Sequence, residues 1–426
     1  MSPLAAMGLF FFLLVAGMPI FLVLGVLSLV LFWAEGNPLI SFPQLFIDHL
    51  NSQTLIAIPF FVMAATFMQR GGIAKALVDC AYSWVGGMRG GLALVCLLAT
   101  TVFAAISGSS VATAMAMGTL LVPAMLAKNY EQHFATGVVG ASGTLGILIP
   151  PSLVMIVYAV IVEESVPQLF LAGVIPGLLQ ATLFGMWIMY YARRRNYPRG
   201  EPMSRSELIR VNIHALPAMM LPVIILGGIY SGIVTVTEAA GVAAFAAMFI
   251  SLIYYRGCTL QEIPSIMAHS IRMTGVIFFI ILGALALGHW ITSAGIADVL
   301  VDYVTENNLT DWQFLLLVNI LMLVLGMFLE TLAVILITVP VVLPLLEPLG
   351  ISPIHYAVIV TVNMELALLT PPIGLNLYVL SSITGARIET VTRGVVPFVL
   401  IMLVLLMMVT FIPELSLFLP QLVYGK

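Results

Sequence analysis

Apolar residues fill most of the chain in long runs, and polar residues gather into short breaks between them. The breaks fall near residues 34–50, 70–89, 127–133, 162–167, 193–210, 294–312 and 347–355. A helix needs about 20 apolar residues to cross a hydrocarbon layer about 30 Å thick. The pattern therefore predicts an all-α polytopic membrane protein. Some runs depart from a simple row of spans. Segments 90–126 and 312–346 are too long for one crossing. Segments 72–88 and 295–310 are amphipathic and predict helices lying along the membrane surfaces. The runs 134–161 and 354–381 carry helix breakers inside them, "GASGTLGILIPPS" at 140–152 and "TVNMELALLTPPI" at 361–373. Pro removes a backbone donor and clashes with the preceding turn. Lipid offers no partner to a backbone group freed in this way.

Composition narrows the class. Of 426 residues, 62% are hydrophobic and 8% charged, against about 25% charged in soluble domains. No soluble fold could bury so much apolar surface. The runs recur along the whole length, so the first is not merely a cleaved leader. A net charge of −4 argues against a nucleic-acid partner. Cys80, Cys96 and Cys258 are scattered, and the six His are isolated. Neither set suggests a disulfide framework, a metal centre or an organic cofactor site.

Charge then orients the chain. Six of the fifteen Lys and Arg lie in "RRRNYPRGEPMSRSELIR" at 193–210. Positive residues mark cytoplasmic segments, so 193–212 reads as a cytoplasmic linker between two halves, 1–192 and 213–426. Arg70, Lys75, Arg89 and Lys128 place the breaks at 70–89 and 127–133 on the cytoplasmic side. Arg256, Arg272, Arg387 and Arg393 mark further cytoplasmic ends. No Lys or Arg occurs from 273 to 386, where Asp298, Asp302, Glu306, Asp311 and Glu347 fall in the breaks. Segment 90–126 thus begins and ends on the cytoplasmic side, and 312–346 begins and ends outside. Each reads as a re-entrant hairpin. The alternative is two short full spans per segment, which breaks the charge pattern.

The halves also repeat. "GIAKALVD" (72–79) returns as "GIADVLVD" (295–302), and Pro123, Pro150, Pro151 and Pro176 return 221 residues later as Pro344, Pro371, Pro372 and Pro397. "SGSSVAT" (107–113) falls on "FLETLAV" (328–334). With opposite charge bias, the halves read as an inverted-topology repeat. That is an architecture of secondary transporters, whose sites lie at mid-membrane where matched segments are interrupted. Freed carbonyls near 146–149 and 367–370, with Ser and Thr hydroxyls, could replace the water of a small hard cation. Broken-helix N-termini offer donors to a carboxylate.

Plainer readings stand beside these. "SGSS" also suits close helix contact, and Pro-Pro also suits a purely structural kink. Glu330 and Glu365 sit in apolar runs, where ionisable groups are costly and usually functional. The plainer alternative for each is a protonated or hydrogen-bonded structural Glu. In the repeat they occupy the places of neutral Ser109 and Thr144. Asp298 and Asp302 read as solvated. The Phe-rich runs near 10–12 and 278–279 read as facing lipid or a partner.

"ISGSSVATA", "GTLGILIPPS", "FLAGVIPG", "GIVTVTEAA", "GMFLETLAVILITVPVVLP" and "TPPIGLNLYV" resemble the large membrane subunit of tripartite ATP-independent periplasmic (TRAP) transporters. The resemblance covers essentially the whole chain. It implies a multi-pass bacterial inner-membrane permease subunit, not an enzyme, of the ion transporter superfamily type with an elevator mechanism. Its partners would be a small membrane subunit, on a separate chain, and a periplasmic substrate-binding protein. Its work would be sodium-coupled uptake of an organic acid of the C4-dicarboxylate or sialic acid class, with two or more sodium ions. One sodium site would use Ser107, Ser109 and Ser110 with backbone near Gly143, Gly146, Leu148 and Pro150. The other would use Gly326, Glu330 and Thr331 with backbone near Met364, Ala367 and Thr370. Substrate would lie near Ser109, Thr144, Thr331, Asn363 and Asn376. Stretches 1–33 and 211–255 would hold lipid and the small subunit, and the amphipathic segments would brace a moving domain. An autonomous sodium- or proton-coupled anion permease is the alternative. An intramembrane enzyme or a channel would need a catalytic constellation or a repeated filter, and neither is evident in the sequence.

Overall fold

The computed structural model describes residues 3–34, 36, 43–44, 47, 53–307 and 309–425. Most of the break expected at 34–50, and the side chain of Asp298, lie outside the described residues. Among those described, the secondary structure is helical apart from one isolated bridge pair. The first half contains α1 (Pro3–Val15), α2 (Ile20–Ala34), α3 (Gln53–Arg70), α4 (Ile73–Val85), α5 (Gly91–Ser107), α6 (Ser110–Ala127), α7 (Gln132–Leu148), α8 (Leu153–Val162) and α9 (Val166–Arg194). The second contains α10 (Arg205–Tyr230), α11 (Val236–Phe249), α12 (Ile263–Ser293), α13 (Ile296–Glu306), α14 (Asp311–Gly326), α15 (Thr331–Leu346), α16 (Pro353–Leu368), α17 (Leu375–Thr384), α18 (Ile388–Phe411) and α19 (Glu414–Tyr424). Among the described residues, seven helical stretches are long and apolar enough to cross a membrane, or eight if the α3–α4 pair, bent by 68°, counts as one. The chain is a multi-pass membrane protein.

The repeat is visible in the elements. Helices α14 to α18 begin 220, 221, 221, 222 and 222 residues after α5 to α9. Packing is reciprocal as well. Helix α17 lies on α6 while α8 lies on α15, and α18 lies on α7 while α16 lies on α9. Such an exchange is what a two-fold relation between the two five-helix sets produces. Of the four hairpin arms, α6 has 18 residues and is one of the helices long enough to cross, whereas α5, α14 and α15 have 17, 16 and 16. At 1.5 Å per residue each of these three is about 25 Å long, short of a 30 Å hydrocarbon layer.

Helices α7 and α16 form the centre. Every residue of α7 from Phe134 to Leu148 is buried, and every residue of α16 from His355 to Leu368. A helix that is apolar all round is a core helix, and here protein covers it on all sides. Small residues make this possible. A Cβ on Gly137 would lie 2.2 Å from the Gly394 carbonyl oxygen, so α7 and α18 touch backbone to backbone. Around the centre, α10 and α11 expose Ile213, Leu216, Val223, Phe245 and Phe249, and Phe11, Phe12 and Phe279 are exposed elsewhere. These surfaces agree with the expected lipid- or partner-facing segments. Asp302 is exposed, as expected.

The linker is shorter than the polar pattern predicted. Helix α10 already begins at Arg205, because Ser204 and Glu207 close a capping box that satisfies the first orphan donors.

The α7–α18 crossing generates a prediction. Gly394→Val should force the helices apart and destabilise the protein by about 1–3 kcal/mol, read as a lower thermal midpoint in detergent. Gly241→Ala, with open space around its Cβ position, should leave the midpoint unchanged or raise it. Equal losses from both would remove the close crossing as the cause.

Candidate functional site

The first hairpin turns at Gly108, whose φ of +61° suits glycine. Ser109 caps α6 by accepting the Ala112 N–H at 3.4 Å. Ser107 and Thr113 share a hydroxyl hydrogen bond of 2.6 Å across the turn. Asn376, at the start of α17, donates to Ser110 Oγ at 2.6 Å. The first tip is thereby held by the far side of the second break. At the second tip, Glu330 stands at the N-cap of α15 without making a side-chain cap bond. Its side chain is exposed, while Thr331 beside it is buried.

Between the tips lies a cavity of about 60 Å³, lined by Gly108–Val111 from one hairpin and Glu330–Leu332 from the other, with Ile147, Leu153, Val154 and Leu368. It has room for an ion or a few waters. The lining joins hydroxyls and one carboxylate, a hard oxygen donor set suited to a cation such as sodium.

The two breaks differ. At the first, Pro150, Pro151 and Ser152 are buried. Ser152 caps α8, accepting the Met155 N–H at 3.4 Å, and donates its hydroxyl to the Ile147 carbonyl. That carbonyl, expected to be free for an ion, is taken: the serine after Pro-Pro does what the missing helix donor would have done. At the second break, Gly374 stands at the N-cap of α17 without a side-chain cap. Pro371 and Pro372 are exposed and line a pocket of about 380 Å³ with Tyr378, Glu389 and Arg393. Both Pro–Pro bonds are cis.

The centre holds a polar contact that the repeat alone did not foretell. Thr144 and Glu365 are repeat equivalents, 221 apart, and they meet: Thr144 Oγ1 donates to Glu365 Oε2 at 3.5 Å. Gln180 of α9 donates to the same oxygen at 2.6 Å. All three side chains are buried, and Glu365 Oε1 and Gln180 Oε1 have no hydrogen-bond partner among the described residues. Nearby, Asn363 donates to Asn319 at 2.7 Å and Asn319 to Thr410 at 2.9 Å, tying α16 to α14 and α18.

Among the residues singled out from sequence, Ser109, Ser110, Glu330 and Thr331 line the cavity. Ser107 and Asn376 stand directly behind it. Gly143 faces the Ser110 carbonyl oxygen, 3.6 Å from its Cβ position. Gly146 lies against Ala104, and Gly326 against Ala367 and Met364. These bare backbones let each hairpin settle on its broken helix. Leu148, Pro150 and Thr370 belong to the breaks themselves. Thr144 and Asn363 are directed to Glu365 and Asn319, away from the cavity lining. Gln180, Asn319 and Thr410 were missed. Their signal was present, since each is a polar side chain inside an apolar run.

Fold and site together define a polytopic membrane transporter. The architecture is similar to that of the YdaH transporter of Alcanivorax borkumensis, with a TM-score of 0.63 over 88% of this chain and 89% of that one, at 13% sequence identity. The chain belongs to the family described as tripartite ATP-independent periplasmic transporter, DctM component, whose sequence profile matches residues 7–415. It is 46% identical over 86% of both chains to the C4-dicarboxylate TRAP transporter large permease protein DctM of Pseudomonas aeruginosa. It is 34% identical, over 97% of both chains, to the sialic acid TRAP transporter large permease protein SiaM of Vibrio cholerae.

The Glu365 contact can be tested by stability. Glu365→Ala strands the Gln180 amide in the core and should destabilise the purified protein by about 1–2 kcal/mol. Glu365→Gln can still accept from Gln180 and should recover most of that loss. An unchanged thermal midpoint for the alanine variant would show that the contact carries no stability.

Proposed function

We propose that the chain is the large permease of a sodium-coupled uptake system for an organic acid, in a bacterial inner membrane. The observation that carries this reading is the convergence of both hairpin tips on one ion-sized cavity, which Ile147, Leu153 and Val154 beside the first break and Leu368 at the end of α16 complete. In this reading the halves are inverted in the membrane and the hairpins are re-entrant. Ser107, Ser109 and Ser110 serve one sodium ion and Glu330 and Thr331 another, with backbone from Gly143–Pro150 and Gly326 or Met364–Thr370 completing each shell. The substrate carboxylate sits between the tips and is handed over when they part.

Relatives support the substrate class. The names of both describe transport of a carboxylate, a C4-dicarboxylate in one case and sialic acid in the other. The family description is tripartite and periplasmic, which supports a small membrane subunit and a periplasmic binding protein as partners. An elevator movement, in which hairpins and broken helices slide against α1–α3 and α10–α12, would expose the cavity to each side in turn.

The test is uptake in vesicles holding the permease with its small subunit, supplied with binding protein and labelled C4-dicarboxylate or sialic acid. Uptake should require an inward sodium gradient. Ser110→Ala should raise the half-saturating sodium concentration about tenfold, a loss of roughly one hydrogen-bond-sized ligand interaction. Wild-type rates without sodium would overturn the coupling, and uptake without binding protein would select an autonomous permease.

A further inference from the structure

The polar linker is not a loose tether. Gly90 N–H donates to the Pro198 carbonyl at 3.4 Å, and Gly200 N–H donates to the Gly86 carbonyl at 3.2 Å. Between these bonds, Arg89 and Arg199 form an antiparallel bridge pair. Tyr197 stacks on Tyr130 with centroids 4.3 Å apart, and Arg195 pairs with Glu131 at 3.5 Å. The linker is thus docked on the turn between α4 and the first hairpin.

This docking gathers positive charge. A pocket of about 320 Å³ is lined by Arg89, Arg193 and Arg199, with Gly87, Met88 and Met189. No carboxylate lines it. Among the described residues, none of the three guanidinium groups has an ion-pair partner: the two ion pairs present belong to His133 and Arg195 with Glu131. Glu201 shares a neighbouring pocket with Arg199 and Lys128 without pairing to Arg199. The bridge pairs the two residues at the backbone, and both line this one pocket with Arg193, so an anion there would offset the repulsion among three like charges.

The surroundings indicate which anion. The pocket lies at the positively charged end of α9, where Trp187 and Tyr190 sit within two turns of Arg193. Such aromatics mark a membrane–water interface. Met88, Met186 and Tyr190 are exposed beside it, offering an apolar track alongside the charged one. We propose that Arg89, Arg193 and Arg199 hold the phosphate of an anionic phospholipid of the cytoplasmic leaflet, so that lipid fastens the linker to the turn at Gly86–Gly90. Basic pockets between helices on this side of a membrane suit such headgroups.

Native mass spectrometry of the protein purified from membranes tests this, with dioleoylphosphatidylglycerol titrated onto delipidated protein. The wild type should retain phosphatidylglycerol or cardiolipin in preference to phosphatidylethanolamine. Combined Arg89→Gln, Arg193→Gln and Arg199→Gln should weaken binding about a hundredfold. The corresponding lysine variants should keep most of it. Arg205→Gln with Arg210→Gln, on the same segment but outside the pocket, should leave it unchanged. If the triple variant does not fold, Arg199→Gln alone should still weaken binding about fivefold or more. Unaltered binding in the glutamine variants, or an equal loss in the control, overturns the site. Displacement of lipid by inorganic phosphate at matched concentration would assign a soluble anion instead. Retention of the small subunit on these arginines in delipidated protein would assign them to the subunit interface.

Discussion

Inside a membrane protein, a polar group that finds no partner within the protein finds none at all. The structure is organised by how α7 and α16 meet that constraint. Both are buried along nearly their whole length, and both are interrupted at Pro-Pro. Neither could stand against lipid in that state. Each is therefore wrapped by the hairpin before it and by helices from the other half. Glu365 is tolerated at the centre because Gln180 and Thr144 reach it, and Asn363 because Asn319 and Thr410 extend the chain of hydrogen bonds.

The same constraint explains the small residues. A broken helix can be enclosed only if its neighbours come close enough to exclude lipid. Gly146 against Ala104 and Gly326 against Ala367 are the two halves' versions of one contact, with the bare backbone on opposite partners. Gly137 against Gly394 closes the other side. Enclosure, not flexibility, is the shared task of these glycines. What remains between the tips is a cavity with room for ions. In the proposed mechanism ions occupy it, and the substrate carboxylate is handed over when the tips part.

Much of this was legible in the sequence because the determining signals are local. The four prolines at one offset located both breaks, and the two apolar runs too long for one span each divide into a helix pair, α5–α6 and α14–α15. Ser109, Ser110, Glu330 and Thr331, which the family resemblance singled out, line one cavity. What stayed hidden depends on which faces meet. Nothing in the run containing Gln180 says that it faces Glu365, since an apolar helix reads alike all round. Nor does the sequence say that Ser152, next after Pro-Pro, supplies the donor that the prolines removed. The resemblance assigned Thr144 and Asn363 to substrate; in the structure their side chains bond Glu365 and Asn319 within the core.

The two halves share a fold without sharing a chemistry, and the difference falls where it has consequences. Ser152 seals the first break from within, while the equivalent position of the second is Ile373, which can donate nothing. The second break is accordingly open, its prolines lining a pocket beside Arg393, on the side that the charge pattern makes cytoplasmic. At the tips, neutral Ser109 stands opposite Glu330. In the proposed mechanism, a carboxylate there would repel an arriving carboxylate substrate unless a cation sat beside it. Ion occupancy and substrate entry would then be coupled by charge alone, before any movement is invoked. Two chemically equal halves would lack that sign-specific gate, and one carboxylate at the tips would supply it with a single substitution.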